Sequence, residues 1–412
     1  MNGDRVLIIG GGVIGLCGAW RLARAGWPVT LLERHDQVAA GASHANGGQL
    51  SYSYVAPLAD AGVPAKALAW LWDRDAPMRL RLRCDPAQWL WLWRFLLACS
   101  DRANRAGTAS LWRLAQASHL ALDALRADGL DGFDWRRNGK LVLFRSAAAL
   151  ERARSGVERL RALGARQQLL DAHACLVLEP ALAGFDGALA GGVHAPDEEV
   201  ADCRLFCQAM QRRIREEGLD VEFRFGQEVC GFELAQGRIS RVLLSGEALS
   251  CRHLVLAAGI GGAGLARKLG LRLPLYPLKG YSLDMPAGAA LPRLSVTDFE
   301  RKTLYAPIGG RLRVAAIADL VGYEERPDPV RLAGLRRQLA RDWPQAGRLE
   351  QAEEWAGLRP ATPDGLPLIG RARGGPANLW LNLGHGALGF TLALGSAEQL
   401  AQAMAAREGG GE

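Results

Sequence analysis

The sequence lacks the cysteine and histidine patterns that mark disulfide-rich or metal-binding proteins. Its eight cysteines are scattered without a CxxC pair, and its seven histidines show no metal-ligand spacing. Cys203 and Cys207 are four residues apart in a predicted helix and therefore share one of its faces. This usage is typical of buried thiols in a reducing compartment, so we expect a cytoplasmic protein without a metal site.

Long hydrophobic runs are also missing. No 18 consecutive residues are apolar, which argues against a membrane-spanning helix. The apolar N-terminus has six glycines between Gly3 and Gly18 and leads directly into charged, patterned sequence. Because no convincing cleavage site follows it, we do not expect it to be a signal peptide.

Lysine is rare in this chain. Only five of the 50 basic residues are lysine, so 45 are arginine, and the net charge of +7 is modest for 412 residues. No basic run interleaved with aromatic residues occurs outside one tryptophan-rich segment, which argues against nucleic-acid binding. The length exceeds what a single hydrophobic core usually organises, so we expect two domains.

The first 33 residues predict a βαβ unit that binds a dinucleotide. The apolar run "RVLII" predicts a buried strand, "VIGLCGAWRLARAG" a helix that ends near Gly26, and "PVTLLE" a second strand. Between strand and helix, Gly10, Gly12 and Gly15 fit the pattern GxGxxG, which permits a tight turn and close approach of a pyrophosphate. Glu33 ends the second strand and can accept hydrogen bonds from an adenosine ribose, which disfavours NADP.

Three further segments favour FAD over NAD. The small-residue stretch "AAGASHANGGQLS" lets backbone amides approach a flat ring, "VLAAGI" places small residues after a strand, and "LGHGALGFT" opens a helix. With Gly10, Gly12, Gly15 and Glu33, the candidate cofactor-binding residues are Val13, Ile14, Arg34, Ala42, Ser43, Asn46, Gly47, Gly48, Gln49, Val229, Ala258, Gly259, Gly384, His385, Gly386, Leu388, Gly389 and Thr391.

Long motifs carry a family resemblance over nearly the whole chain: "SHANGGQLS", "PLKGYSL", "GLRPATPDG", "LWLNLGHGALGFT" and the segment around "PDEEVADCRLF". The chain resembles the D-amino acid oxidase superfamily of FAD enzymes, and within it the FAD subunit of bacterial D-amino acid dehydrogenases. The resemblance implies an α/β fold with a Rossmann-like FAD-binding domain and an α+β substrate domain that has a mostly antiparallel sheet.

The resemblance also implies an activity. We expect hydride transfer from the Cα of a D-amino acid to flavin N5, giving an imino acid that water converts to a 2-oxo acid. Electrons would then pass to a quinone or another respiratory acceptor. Three alternatives stay open: a dehydrogenase of cis-4-hydroxy-D-proline or D-proline, a non-catalytic FAD-binding subunit of a larger complex, and an NAD-dependent dehydrogenase.

The pattern of predicted elements indicates discontinuous domains. We assign residues 1–60, 199–271 and 355–412 to the FAD-binding domain, and residues 61–198 and 272–354 to the substrate domain. Asp202 is predicted to cap a helix that runs to Glu217.

The segment "EWAGLRPATPDGLPLIG", residues 354–370, presents an arginine in a fixed setting. Its three prolines and three glycines predict an irregular path rather than a helix, and Pro360 biases Arg359 towards an extended conformation. Arg359 could form a structural ion pair with Glu353, Glu354 or Asp364, or it could bind an anion from outside the chain. The resemblance implies the second role, in which Arg359 binds the substrate carboxylate in two places.

Tyrosines are the candidates for closing over that carboxylate. Tyr281 in "KGYS" is the first choice, followed by Tyr54 and Tyr305. Lys279 is a candidate for a water-bridged contact with the flavin, with an exposed surface lysine as the alternative. His385, between two glycines, is interpreted as a residue of the flavin loop rather than as a general base.

Tryptophan is concentrated between residues 70 and 93, at Trp70, Trp72, Trp89, Trp91 and Trp93, with arginines interspersed. Amphipathic helices of this composition can lie in a membrane interface, which would place the protein peripherally on the cytoplasmic face of the inner membrane. The alternative is that these helices pack over the substrate domain.

Overall fold

The protein is described here by a computed structural model, which covers residues 4–64 and 78–408. In these residues the helices are α1 Val13–Arg24, α2 Pro86–Ala98, α3 Asp101–Ala127, α4 Ala147–Ala162, α5 Ala172–Leu178, α6 Cys203–Glu216, α7 Gly261–Lys268, α8 Pro329–Asp342 and α9 Gly389–Glu408. The strands are β1 Val6–Ile9, β2 Val29–Leu32, β3 Gln49–Leu50, β4 Met78–Leu80, β5 Lys140–Phe144, β6 Gln168–Asp171, β7 Gly191–Ala195, β8 Glu199–Val200, β9 Val221–Arg224, β10 Val229–Ala235, β11 Arg238–Leu244, β12 Ala248–Ser250, β13 His253–Leu256, β14 Tyr276–Pro286, β15 Ser295–Asp298, β16 Thr303–Ile308, β17 Arg311–Leu320, β18 Glu353–Ala361, β19 Leu368–Arg371 and β20 Leu379–Leu383.

A six-stranded sheet contains the predicted βαβ unit. Its order is β19-β20-β13-β1-β2-β9, and all neighbours are parallel except the edge pair β19 and β20. The central strands are buried on both faces, as continuous apolar runs require. Residues of α1, α6 and α9 form the core on one face, and α7 with the small sheet β10-β11-β12 covers the other. The predicted Rossmann-like arrangement is therefore confirmed.

A larger, mostly antiparallel sheet has the order β18-β14-β17-β16-β15-β5-β7-β6, and β4 pairs with β17 in parallel. Only β5 and β15 are parallel neighbours along this path. Helix α8 covers one face through the buried side chains of Leu332, Leu335 and Leu339. The opposite face meets the six-stranded sheet across residues 42–49, as contacts described below show.

Strand β18 corrects one prediction. The segment expected to follow an irregular path is a regular strand as far as Ala361. It lies at the edge of its sheet, where proline is tolerated because an edge strand need not donate every backbone hydrogen. The predicted domain boundary between residues 354 and 355 falls inside this strand, so we now place the proposed boundary after Ala361.

Local signals set the ends of several helices. Asp202 caps α6 by accepting a hydrogen bond from the backbone of Leu205 at 2.9 Å, as predicted. Gly26 has φ +86°, a left-handed conformation that suits glycine just beyond the end of α1.

Cys17, Cys203 and Cys207 are buried, whereas Cys84 and Cys230 are exposed and depart from the expected usage. The reason is that Cys84 precedes α2 in a surface segment and Cys230 lies on an outward position of a short, half-covered sheet.

Candidate functional site

In the glycine turn between β1 and α1, backbone segments approach one another too closely for side chains. Gly10 has φ +116°, and a Cβ there would lie 2.6 Å from the carbonyl oxygen of Ala257 at the end of β13. A Cβ at Gly15 would overlap the carbonyl oxygen of Gly10. Gly12, the N-terminal cap of α1, has ordinary backbone angles and supplies no side-chain cap, so the first helical turn begins with backbone amides that Gly12 itself does not satisfy.

Glu33 lies where the glycine pattern predicts it. The carboxylate is buried, and Oε2 accepts a hydrogen bond from the backbone of Gly11 at 2.6 Å while Oε1 accepts one from His35 at 3.0 Å. These two bonds fix the side chain beside the glycine turn. Arg34, the next residue, is exposed; its Nε lies 3.2 Å from His35 Nε2, and its guanidinium forms a long ion pair of 3.8 Å with Glu325.

Residues 42–49 connect the two large sheets. Ser43 Oγ accepts a hydrogen bond from the backbone of Val13 at 3.1 Å, which ties the segment to the start of α1. From the larger sheet, Ser282 Oγ donates to the carbonyl oxygen of Ala45 at 2.8 Å, and Arg313 donates to that of Asn46 at 3.2 Å. The cofactor residues predicted here therefore lie between the glycine turn and the face of β14 and β17.

The third glycine-rich segment, residues 384–391, lies close to the end of β18 and to the chain just after residues 42–49. Gly384 and Gly386 have φ +83° and +54°, and His385 pairs with Ala361 at the end of β18. Thr391 Oγ1 accepts a hydrogen bond from the backbone of Ser51 at 3.0 Å, just beyond residues 42–49. Three remote parts of the sequence are thus brought into contact.

His385 is held as a neutral imidazole. Burial lowers the pKa of His385 to about 3, and its Nε2 lies 2.8 Å from Ser396 Oγ. A group with this pKa stays uncharged near pH 7 and is a poor acceptor for a substrate proton. This agrees with its interpretation as a loop residue rather than a general base.

The remaining predicted cofactor positions lie around the same cradle. Ala258 follows β13 directly beside Gly10, and Gly259 has φ +53°. Val229 starts β10, and the neighbouring backbone of Gln227 donates to the carbonyl oxygen of Glu33 at 2.9 Å. The cradle of glycines, the helix start and the fixed carboxylate fit the pyrophosphate and ribose of a dinucleotide.

Arg359 lies on the face of β18 that looks towards residues 42–49. In the strand register Leu278 is opposite Arg359, and Gly280 is opposite Gly357. The guanidinium lies against Gly280 so closely that a Cβ at that position would overlap it. Gly280 therefore gives Arg359 room to lie flat along the sheet.

The predicted ion-pair partners of Arg359 are engaged elsewhere. The three acids bond as follows: Glu353 with Arg311, Glu354 with Arg336, and Asp364 with the backbone of Leu366. Arg359 donates to the carbonyl oxygen of Ile317 at 3.2 Å, and the described residues provide no ion pair for it. Burial lowers the pKa of Arg359, while the charge of Asp319 opposes the shift.

Two of the predicted tyrosines lie on the wrong face of the larger sheet. Side chains alternate along β14, so Tyr281 points away from the face that carries Gly280 and packs among the core residues under α8. Tyr305 is fully buried in the same core, against Phe185 and Trp343. The prediction that Tyr281 and Tyr305 close over the carboxylate is therefore corrected.

Tyr54 lies on the face of the larger sheet opposite to the one that packs under α8. Its ring is 4.0 Å from the Nζ atom of Lys140, whose ammonium donates to Gln49 Oε1 at 2.7 Å and to Ser51 Oγ at 3.3 Å. Tyr54 is exposed, with 40% of its surface accessible. It lies beside Lys140 on the side of the sheet that contacts Gln49, so Tyr54 stays a candidate.

Lys279 also differs from its prediction. It shares the face of Tyr281 and donates a hydrogen bond to the carbonyl oxygen of Arg326. The same alternation that moves Tyr281 away from Arg359 moves Lys279 away, so neither a flavin contact nor an exposed surface lysine describes it.

Four residues near the site were not predicted: Lys140, Gly280, Ile317 and Asp319. A lysine inside the apolar run "GKLVLF" was a usable signal, because a charge in a buried strand needs a partner. The quoted motif "PLKGYSL" contains Gly280 but does not reveal which side chain needs its space. Ile317 has no sequence signal, since its left-handed conformation lies in a bulge that only the pairing with β14 reveals.

One group in the described residues has atoms suited to a metal ion: His119, Asp123 and Glu199. The guanidinium of Arg137 lies among them and donates to Glu199 Oε1 at 2.9 Å and to Asp123. A cation is thus already supplied by the chain, and the group is an ion-pair network.

Comparison with known proteins assigns the family. The family described as FAD dependent oxidoreductase matches residues 5–403. The chain belongs to this family. FAD is therefore its cofactor, in agreement with the fit of the glycine cradle, and the chain is an oxidoreductase.

Individual relatives cover almost the whole chain. It is 52% identical to D-amino acid dehydrogenase 2 of Pseudomonas aeruginosa over 407 residues, 98% of this chain and 95% of that protein. It is 43% identical to D-amino acid dehydrogenase 2 of Ralstonia nicotianae over 416 residues, 98% of this chain and 97% of that protein. The fold is similar to that of glycine oxidase from Geobacillus kaustophilus, with a TM-score of 0.76 at 22% identity over 98% of this chain and 95% of that one.

Proposed function

We propose that the chain oxidises a D-amino acid whose carboxylate is bound by Arg359. The observation that carries this proposal is a half-buried arginine for which the described residues provide no acidic partner, on the sheet face that meets the three glycine segments. The names of relatives at 52% and 43% identity support a D-amino acid as the substrate class. A cyclic substrate of the D-proline type fits the same arginine and belongs in the substrate panel.

Arg359 has the donors that a carboxylate requires. A guanidinium has five N–H groups in a fixed plane, and the carbonyl oxygen of Ile317 accepts from only one nitrogen. Two parallel bonds to a carboxylate would use the remaining edge and would compensate the desolvated charge. Gly280 keeps this edge accessible because it adds no side chain beneath the plane.

The chain's own residues orient the substrate and supply little acid–base chemistry. FAD, when bound, supplies the acceptor for the hydride of the substrate Cα. Arg359 holds the carboxylate, and residues 42–49 and 384–391 close the site from the side of the six-stranded sheet. A desolvated site with a cation and a neutral His385 disfavours a second positive charge, so it favours the deprotonated amine that expels hydride.

The test compares an amino acid with its amide. Arg359→Leu should leave FAD bound and the fold intact but weaken binding of the acid by roughly 2–5 kcal/mol, about thirtyfold to several thousandfold. Arg359→Lys should recover part of this, because an ammonium cannot form the two-point contact. Anaerobic flavin reduction over a range of substrate concentrations measures the effect.

The amide is the internal control in this experiment. It has no carboxylate, so it should be a poor substrate of the wild type and should lose much less on mutation. A structural role of Arg359 would lower the melting temperature and weaken acid and amide by the same factor. Equal losses of acid and amide binding would therefore refute the carboxylate role of Arg359.

The proposed electron acceptor is a quinone in an anionic membrane that the protein contacts through α2. The exposed apolar side chains of α2 share one face of the helix: Trp89, Leu90, Trp93, Leu96 and Leu97. Exposed arginines precede, lie in or follow α2 at positions 81, 83, 94, 102 and 105, and would attract anionic lipid. On the other side of α2, Trp91 donates to the carbonyl oxygen of Ala361 at 2.9 Å, two residues from Arg359.

Two parts of the tryptophan prediction have different outcomes. Trp70 and Trp72 lie outside the described residues. Trp91 packs against the larger sheet, so the alternative of helix packing holds for this residue. In residues 4–64 and 78–408, no helix combines the length and hydropathy needed to cross a bilayer.

A further inference from the structure

Strand β17 contains a bulge beside Arg359. Tyr281 of β14 is opposite Ala316, but Lys279 is opposite Asp319, so Gly280 faces two residues of β17 instead of one. Within the bulge Ile317 has φ +68°. A β-branched residue in the left-handed region is strained, and such a conformation persists only when its surroundings hold it.

The bulge directs a carbonyl group at Arg359. The carbonyl oxygen of Ile317 accepts the hydrogen bond from the guanidinium at 3.2 Å, and the described residues show no other side-chain hydrogen bond of Arg359. The direction of the guanidinium therefore depends on a strained peptide unit. A residue that holds this peptide in place also sets the geometry of Arg359.

Asp319 holds β17 immediately after the bulge. It is fully buried, and its carboxylate accepts hydrogen bonds from Arg331 Nε at 3.2 Å and NH2 at 2.8 Å. Arg79 of β4 lies 3.1 Å from the same carboxylate, and the Tyr281 hydroxyl donates to it at 3.4 Å. Asp319 is thus bonded to α8, β4 and β14 at once.

We propose that Asp319 is a positioning residue for substrate binding: it locks the β17 bulge, keeps the Ile317 carbonyl against Arg359, and so fixes the direction of the guanidinium. The proposal rests on the proposed carboxylate role of Arg359. It explains why a buried acid with two arginine partners lies on the face opposite to the substrate, where it has no direct contact with the reacting groups.

The chain offers a matched control in Asp342. This acid is also fully buried and paired with two arginines, Arg301 and Arg341, but it ends α8 away from the bulge. Asp319→Asn and Asp342→Asn should both lower the melting temperature. Only Asp319→Asn should weaken binding of the amino acid relative to its amide, by about tenfold or more, with the limiting rate of flavin reduction changed far less.

Two further variants keep the proposal testable if Asp319→Asn does not fold. Arg79→Met removes a partly exposed partner of Asp319 and should shift the acid-to-amide ratio in the same direction, by about threefold. Asp319→Asn combined with Ile317→Gly should recover most of the acid preference, because glycine adopts φ +68° without strain. Calorimetric titration with a 2-oxo acid compares carboxylate binding among the same variants without turnover.

The outcomes separate this proposal from the one it rests on. If the wild type does not prefer acid over amide, the role of Arg359 fails and takes the role of Asp319 with it. If Arg359→Leu abolishes the preference but folded Asp319→Asn or Arg79→Met keeps the wild-type ratio, Asp319 alone is refuted. Failure of Ile317→Gly to restore any preference would also overturn it, since the bulge would then not be the link.

Discussion

At the scale of single residues, glycine is required at different positions of the first turn for different physical reasons. Gly15 is required by contact, since any Cβ would overlap the carbonyl oxygen of Gly10. Gly12 has φ −77°, which any residue adopts, and its nearest neighbour would be Ser43 Oγ at 3.3 Å. The fold itself therefore needs the space at Gly15, whereas we propose that the space at Gly12 is needed by the phosphates of the cofactor.

This difference predicts opposite phenotypes for two alanine substitutions. Gly15→Ala should destabilise the flavin-free protein by roughly 2–4 kcal/mol through overpacking. Gly12→Ala should melt close to the wild type without flavin but bind FAD about tenfold more weakly, ~1.4 kcal/mol. Melting of the apoprotein and flavin titration measure the two effects. A flavin-free Gly12→Ala protein that melts as low as Gly15→Ala would assign Gly12 to the fold.

The buried Lys140 makes the stability of the folded state depend on pH. Burial lowers the pKa of Lys140 to about 8, and no salt bridge compensates its charge in the described residues. Between pH 8 and the ordinary lysine pKa of about 10.5, the unfolded chain holds a proton that the folded chain has lost. The folded state therefore gains stability as pH rises through this window.

Lys140→Met should remove this dependence. The free energy of unfolding of the wild type, relative to the variant, should rise by up to about 1.4 kcal/mol per pH unit between pH 8 and 10. Denaturant unfolding at several pH values measures the difference, in which other titrating groups largely cancel. A constant difference across the window would mean that Lys140 keeps its proton at all these pH values.

At the scale of elements, helix α2 has two apolar faces with different partners. Trp91 and Phe95 stack with ring centroids 5.2 Å apart, and Trp91 packs on the larger sheet. Trp93 and Leu97 point outward with 60% and 65% of their surface accessible. A helix that is apolar all round is normally buried, so the outer face of α2 calls for a partner outside the described chain.

Vesicle binding tests the membrane proposal. Trp93→Ser with Leu97→Ser should reduce binding to anionic vesicles at least tenfold, since each side chain contributes about 1–2 kcal/mol on burial. Quinone reduction on the vesicles should fall in parallel, while reduction of a soluble dye should stay at the wild-type rate. Leu120→Ser, at another exposed leucine, is the control. Unchanged vesicle binding by the double variant would reject α2 as the contact.

At the scale of the whole molecule, the candidate site depends on contacts between remote parts of the chain. Residues 42–49 bond to the start of α1 and to β14 of the larger sheet, and the bridge between Ala361 and His385 joins the end of β18 to the last glycine turn. The chain passes repeatedly between the sheets, so a change at their junction affects cofactor and substrate residues together. Helix α2 closes one edge of this junction through Trp91.

The sequence by itself determined what depends on neighbours along the chain. The glycine turn, the parallel strands around it, the cap at Asp202 and the extended backbone at Arg359 all follow from local spacing and local conformational preference. These features cover the six-stranded sheet and most residues of the cofactor cradle.

Only the tertiary structure decided which side chains share the face of Arg359. Alternation along β14 separates Tyr281 from Gly280, but only the pairing with β18 and the position of α8 show which set meets the cofactor segments. The left-handed conformation of Ile317 likewise could not be read from the sequence, because it lies in a bulge that the pairing of β17 with β14 defines. Which acids are free to pair with an arginine is also a matter of packing, since contacts remote in sequence decide it.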